Sequence, residues 1–118
     1  MIYEFEVPGK IIGKGRPRLN SYTGVVYTPT RTKDYESLVE QYFLLKYPRF
    51  KVLEGRIKVS IIAYFSIPKT TKKADINEML KNNISPTKKP DIDNIVKSIL
   101  DSMNKFAFKD DNQITKLE

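Results

Sequence analysis

The sequence contains no cysteine. This absence excludes disulfide bonds and zinc sites built on thiolates. The N-terminus has no signal-peptide pattern, and no apolar run reaches the roughly 18 residues that a membrane span needs. We therefore expect a protein of the cytoplasm that makes no membrane contact.

Histidine is absent as well. Without it the chain lacks the usual general base near neutral pH, the commonest transition-metal ligand and every catalytic arrangement that pairs Ser or Cys with His. Any hydrolytic chemistry must therefore depend on carboxylates, on lysines or on a water molecule activated by a metal.

The formal net charge of +7 is unevenly distributed along the chain. Residues 1–73 contain 14 Lys and Arg against 6 Asp and Glu, whereas residues 74–118 contain 7 against 8. The basic part is typical of a protein that binds a polyanion such as nucleic acid, although a solvated charged face would give the same count. The length of 118 residues predicts one domain spanning 1–118.

Hydrophobic periodicity predicts an α/β (α+β) domain in which helices flank a small mixed sheet. Alternating apolar positions predict strands at 2–7 and 56–67, the second covered on both faces. Apolar residues at i, i+3 and i+4 predict helices at 30–47, 74–81 and 93–103. The final segment, NQITKLE, predicts an edge or terminal strand.

A basic, glycine-containing segment follows the first predicted strand. It places Lys10, Lys14, Arg16 and Arg18 within the sequence KIIGKGRPR. The glycine spacing does not match a phosphate-binding Walker loop. The composition favours a flexible basic hairpin or arm that lies on a sugar-phosphate backbone, and an exposed basic turn without a partner is the alternative.

Carboxylates gather near the end of this basic chain. Asp91 and Asp93 stand at the start of the last predicted helix, and Asp110 and Asp111 follow it. Asp91 alone is explained as a helix N-cap. Two ionised carboxylates at ~4 Å repel by roughly 4 kcal/mol at an effective dielectric constant of 20, so a cluster of three needs a cation.

Two kinds of cation satisfy that need. Lys97 and Lys109 could form a structural ion network with the aspartates. Mg²⁺ is the alternative, because it takes carboxylate oxygens and completes its shell with water and substrate phosphate. Either arrangement requires the linker at 104–109 to run extended beside the helix, so that Asp110 or Asp111 returns to the helix start.

Two motifs resemble the RusA family of Holliday junction resolvases: KPDIDNIVKSILDSMNKFAFKDDNQI and, near the N-terminus, GKGRPR. The order of elements is similar over essentially the whole chain. The resemblance implies a small α/β homodimer, bacterial or carried by a phage. It also implies Mg²⁺, or Mn²⁺ in its place, and the cutting of four-way DNA junctions by paired symmetric nicks during recombination and repair.

Matched by position, the resemblance assigns roles to individual residues. It implies that Asp91, Asp93 and Asp111 are the catalytic metal ligands, with Asp110 able to exchange roles with Asp111. It implies that Lys97 is the functional lysine at the scissile phosphate. The DNA contacts that we expect are Lys10, Lys14, Arg16, Arg18, Lys88 and Lys89.

Members of this family usually continue past DDNQI with a further strand segment, whereas this chain ends at Glu118. We therefore expect either a C-terminally truncated chain or a tag remnant at Leu117 and Glu118. Two other functions stay open on the sequence. One is a non-catalytic DNA-binding module, and the other is a metal nuclease that acts on flaps, other branched nucleic acid or RNA.

Overall fold

The computed structural model describes residues 1–67, 69–85 and 89–118. In this part of the chain, a two-stranded hairpin is followed by three α-helices, with two further short strands that pair with each other. The helices and strands, in chain order, are β1 (Arg18–Leu19), β2 (Val26–Tyr27), α1 (Thr30–Lys46), β3 (Ile57–Val59), α2 (Lys73–Leu80), α3 (Ile92–Met103) and β4 (Ile114–Leu117). A 3-10 turn at Asp111–Gln113 precedes β4.

The core lies where α1 packs against α3. The apolar stripe of α1 supplies Tyr35, Val39 and Phe43, which are all buried, and α3 supplies Ile95. These positions repeat every three or four residues, so one face of each helix is removed from water. The helices predicted at 30–47 and 74–81 are confirmed to within one residue at each end, and α3 begins one residue earlier than predicted.

Strand pairing is much less extensive than the alternating sequence predicts. Residues 2–7 form no strand, although Tyr3, Phe5 and Val7 are half-buried while the glutamates between them are exposed. Of 56–67, only β3 is a strand, and it pairs in parallel with β4. The alternation of apolar and polar residues therefore predicts correctly which side chains are covered, but it does not predict which backbone segment pairs with this one.

The expectation that 56–67 is covered on both faces is wrong. Ile62 is 76% exposed and Tyr64 is 82% exposed. Ile61, Ala63 and Phe65 on the opposite face are half-buried. In the described residues, β3 belongs to a two-stranded sheet rather than to the interior of a larger mixed one.

A hairpin follows the basic segment and begins at its last residue, Arg18, whereas Lys10, Lys14 and Arg16 precede the paired strands. β1 and β2 pair antiparallel, with Arg18 opposite Tyr27. Asn20 closes the tip, because its side-chain oxygen accepts hydrogen bonds from the backbone N–H groups of Tyr22 and Thr23. Gly24 supplies a positive φ of 70° at the return.

The linker after α3 does not run extended beside that helix, which corrects the sequence-based expectation. The chain turns back at once: Lys105 has a φ of 71°, and its N–H donates to the carbonyl of Phe108 at 2.7 Å. Phe108 is buried, and the ring of Phe106 packs on Phe43 with centroids 5.5 Å apart. Burying these two aromatic anchors favours a tight turn over an extended path.

Candidate active site and nucleic-acid interface

Asp91 and Asp93 lie at the entry to α3 as two exposed carboxylates. Asp91 occupies the N-cap position, and its carbonyl accepts the first helical hydrogen bond from Ile95. Its carboxylate makes no capping hydrogen bond, and in the described residues neither aspartate takes part in an ion pair. The N-cap explanation therefore accounts for the position of Asp91 and leaves both carboxylates available to a ligand.

The basic GKG segment lies directly along the aspartate helix. The N–H of Lys14 donates to the carbonyl of Asn94 at 3.1 Å. One turn further along α3, the hydroxyl of Ser98 donates to the carbonyl of Ile12 at 2.7 Å. Ser98 is buried, so this bond satisfies a polar group that would otherwise be costly. The two motifs that define the sequence resemblance are thus parts of one packed unit.

Gly13 is the closest point of that packing. A Cβ atom at this position would lie 2.5 Å from the Cβ of Pro90 and 3.3 Å from that of Asn94. No side chain fits there without moving the entry of α3, where Asp91 begins the helix. Neither Gly13 nor Ser98 was among the predicted site residues; the glycine spacing of GKG and the small residue on the apolar side of α3 are the sequence features that correspond to this contact.

We predict that Gly13→Ala lowers the free energy of unfolding by about 1–3 kcal/mol, because the added methyl group overpacks the contact with Pro90. Chemical denaturation measures this loss. Gly9→Ala is the control for space, since nothing lies within 4 Å of its Cβ position, although its φ of 93° adds backbone strain. A Gly13→Ala protein as stable as wild type would show that the two motifs do not pack closely.

Lys14 is held in an ion-pair network instead of extending into solvent. Its Nζ lies 2.6 Å from a carboxylate oxygen of Glu36 and 3.2 Å from one of Asp101. Partial burial acts to lower the pKa of Lys14, but the hydrogen bonds and charges of the two carboxylates outweigh it and raise the pKa above its usual value. Lys14 thus links α1 to α3, and it can contact DNA only by leaving these partners.

Lys14→Met should therefore destabilise the fold by about 1–2 kcal/mol, as expected for a part-buried pair that loses its cation. Because the pKa of Lys14 is raised in the folded protein, the network contributes its full stability below the usual lysine pKa of 10.5. That contribution is lost as the pH rises through the pKa of Lys14 in the folded protein. Unfolding curves at neutral and alkaline pH measure both effects. Equal stability of the two proteins at pH 7 would refute the network.

Asp110 and Asp111 form a second acidic pair at the 3-10 turn. The side chain of Asp110 accepts from the N–H of Asn112, and its own N–H donates to the side-chain oxygen of Gln113. Hydrogen bonding between the two carboxyl groups lowers the pKa of Asp110 and raises that of Asp111, so the pair titrates as a unit. Two carboxyl groups this close attract either a proton or a cation.

Gln113 fixes that turn to the rest of the fold. Its side-chain N–H groups donate to the carbonyls of Leu53 and Gly55, each at 3.0 Å. Its side-chain oxygen accepts from the N–H of Lys109 at 2.8 Å. This side chain therefore sets where Asp110 and Asp111 lie, and it gives a structural reason for the glutamine of the DDNQ sequence.

The described residues do not bring the two acidic pairs together. Among them, no group of three acidic side chains is positioned to hold a metal ion. The charge of Asp101, in the last turn of α3, adds to the rise in the pKa of Asp111. Asp91 precedes Asp101 by ten residues, which corresponds to about 15 Å along a helix. The oxygen donors suit Mg²⁺ or Mn²⁺ chemically, but they do not converge in this arrangement.

The remaining predicted basic residues are exposed, and Lys88 lies outside the described residues. In the part of the chain that the structure describes, no ion pair includes Lys10, Arg16, Arg18, Lys89 or Lys97. Their charges remain available to phosphates.

The structural ion network considered for Lys109 takes a different form. Its Nζ pairs with Glu54 at 2.7 Å rather than with an aspartate, and this pair lowers the pKa of Glu54. Within residues 1–67, 69–85 and 89–118, the aspartates at the start of α3 therefore receive no lysine partner.

The described residues thus form an α+β domain that carries a basic segment and two exposed acidic pairs, and the chain has no histidine. The family model for endodeoxyribonuclease RusA matches residues 8–118. The chain therefore belongs to the RusA endodeoxyribonuclease family.

Among curated proteins, the chain is similar to the uncharacterized protein YqaN of Bacillus subtilis (strain 168). The two sequences are 29% identical over 119 aligned positions, which cover 98% of this chain and 83% of the relative. No solved structure matches the chain significantly. No helix in the described residues is long and apolar enough to cross a membrane.

Proposed function

We propose that this protein is a metal-dependent endodeoxyribonuclease that resolves four-way DNA junctions by paired symmetric nicks in recombination and repair. The observation that carries the proposal is the family match over 8–118, which includes both the basic segment and the two acidic pairs. The packing of GKG against the entry of α3 supports it, because a phosphate backbone bound by the basic segment would pass the exposed carboxylates.

Asp91, Asp93 and Asp111 are the ligands that we propose for Mg²⁺, with Mn²⁺ as a substitute and Asp110 as the alternative third ligand. A divalent cation held by these residues would supply positive charge near the scissile phosphate and lower the pKa of a bound water, chemistry that suits a chain without histidine.

Lys97 is the residue that we propose at the scissile phosphate. It is exposed and stands four residues after Asp93 on α3, so the two side chains project from the same side of the helix. Arg16 and Arg18 at the base of the hairpin, with Lys10 and Lys89, would bind the phosphates of the DNA arms.

A homodimer is the assembly that we propose. A four-way junction with two symmetric cuts is served most simply by two identical sites related by a two-fold axis. Exposed apolar side chains support association. Ile62 and Tyr64, two residues apart in the sequence, are both exposed to solvent.

A second candidate function is a DNA-binding module without catalysis. It is favoured by the arrangement of the described residues, in which no three acidic side chains are positioned to hold a metal. A metal nuclease that acts on flaps or on RNA is the third candidate, and it differs from the first only in its substrate.

The experiment that separates the three compares a four-way junction, linear duplex, a flap, single-stranded DNA and a matching RNA, each with Mg²⁺ and with chelator. Junction-selective cleavage that requires Mg²⁺ supports the proposal. Junction binding without any cleavage identifies a binding module, and preferential cutting of the flap or RNA identifies the third candidate.

A further inference from the structure

A cleft of about 540 Å³ lies at the C-terminal end of α1, outside the acidic pairs and the hairpin. The cleft is open to solvent over much of its surface, as a groove that holds a polymer must be. Aromatic and basic side chains alternate along its wall, which includes Tyr3, Lys46, Tyr47, Arg49, Phe50 and Lys51. The proposed nuclease function assigns no role to any of these residues.

The aromatic rings of the cleft are held in fixed positions. Tyr3 packs edge to face on Tyr47 at 5.0 Å and on Phe50 at 4.9 Å between ring centroids. The hydroxyl of Tyr47 donates to the carbonyl of Glu4 at 3.0 Å and accepts from the N–H of Glu4 at 2.9 Å. All three rings are half-buried, so they keep accessible surface on a rigid support. A rigid aromatic wall binds a planar ligand at low entropic cost.

The charges of the cleft are positive. Lys46, Arg49 and Lys51 are exposed, and in the described residues none of them forms an ion pair. The Nζ of Lys46 lies 5.8 Å from the centre of the Tyr47 ring, within the range of a cation–π contact. The described residues that line the cleft include these three cations and no acidic side chain.

The cleft is separate from the β1–β2 hairpin. Thr30 begins α1 directly after the hairpin, and Lys46 ends it. The rise from Thr30 to Lys46 is about 24 Å, so the hairpin and the cleft lie at opposite ends of α1.

We propose that this cleft binds an unpaired segment of DNA, with bases against the rings of Tyr3, Tyr47 and Phe50 and phosphates beside the three cations. Aromatic side chains lining a positive groove are the combination that binds single strands, since every base has a face that can stack. The choice of DNA rests on the proposed function, whereas the preference for an unpaired strand rests on the cleft itself.

The first test measures binding of a fluorescent single-stranded oligonucleotide of about 12 nucleotides in chelator, where no cleavage occurs. The variant Lys46→Glu, Arg49→Glu, Lys51→Glu is compared with Lys72→Glu, Lys73→Glu, Lys81→Glu, which makes the same change of charge on exposed residues in and beside α2. We expect the cleft variant to bind at least tenfold more weakly than the α2 variant. Its slope of log affinity against log salt should fall by about 2, which corresponds to three lost contacts. Equal affinities and slopes for the two variants would overturn the proposal.

The second test asks whether bases enter the cleft. Wild type should bind an abasic strand of the same length about tenfold more weakly than the normal strand, since each stacked base contributes roughly 5- to 150-fold. Phe50→Leu keeps an apolar side chain but removes the ring, and it should lose most of that difference. Because Phe50 also packs on Phe43, its binding is measured at a temperature at which its own unfolding curve shows the variant to be folded. Equal binding of the two strands by wild type would contradict base stacking and leave only a phosphate-binding surface.

Failure of this proposal is distinguishable from failure of the nuclease proposal. If the wild-type protein cuts no junction in Mg²⁺, but only the cleft variant loses single-strand binding, the cleft proposal is supported and the nuclease proposal is wrong. If the wild-type protein cuts junctions in Mg²⁺, but the two charge variants bind single strands equally well, the nuclease proposal is supported and the cleft proposal is wrong.

Discussion

If the proposed function is correct, replacement of Asp93 by Asn should reduce Mg²⁺-dependent junction cleavage by on the order of 10³-fold or more, while junction binding in chelator should stay within a few-fold of wild type. The amide keeps the size of the side chain but removes the negative charge that a divalent cation requires. Because Asp93 is exposed and forms no ion pair among the described residues, its loss should not unfold the protein.

Asp75→Asn is the matched control for this result. Asp75 is the acidic residue in the first turn of α2, as Asp93 is in the first turn of α3, and both are exposed. The two substitutions therefore remove the same favourable charge from a helix N-terminus, worth about 0.3–1 kcal/mol of stability. Only Asp93→Asn should abolish cleavage. Similar cleavage by both variants would exclude Asp93 from the active site.

Phe43→Ala has the largest expected effect on stability, a loss of about 3–5 kcal/mol from the free energy of unfolding. Phe43 is 1% exposed, and its ring contacts the rings of Phe5, Tyr47, Phe50 and Phe106. Its removal leaves a cavity where α1 meets the N-terminal segment and the turn after α3. A domain of this size has about 5–15 kcal/mol in total, so much of the stability would be lost.

Urea denaturation at 25 °C measures this loss, with Leu45→Ala as the control on the same helix. Leu45 is 76% exposed, so its truncation should change stability by no more than about 0.5 kcal/mol. A loss below about 1 kcal/mol for Phe43→Ala would show that the aromatic cluster is not the core of the protein.

The helices could be predicted from sequence because their cause is local. The apolar spacing of α1, with Pro48 directly after the C-cap residue Tyr47, defines the helix to within a residue. Ile92 is an exception: it continues the apolar stripe of α3 but is 81% exposed in the first turn of the helix. Periodicity shows which residues can face a core, and it does not show how far the neighbouring element extends.

Strand pairing and the path after α3 could not be predicted in the same way, because both depend on residues distant in sequence. β3 finds its parallel partner in β4, with Ile57 opposite Ile114. The sequence around 104–109 permits an extended path, and the turn is favoured by the burial of Phe108 and the packing of Phe106 on Phe43.

The candidate site shows the same division. The position of Asp91 and Asp93 at a helix start follows from the local sequence and is confirmed by α3. The ion pairs of Lys14 with Glu36 and Asp101 join three separate segments of the chain. The sequence-based prediction considered only the charge of this lysine and therefore assigned it to DNA. Whether Asp91, Asp93 and Asp111 hold one metal ion stays a prediction that only experiment can test.

The most direct test of the central claim is cleavage of a four-way junction by the wild-type chain, with the label placed on each of the four strands in turn. The account predicts cuts at symmetric positions on two opposite strands, in Mg²⁺ and not in chelator. Undiminished cutting in chelator, cuts on a single strand, or no cuts in Mg²⁺ by a folded protein that binds the junction would contradict it.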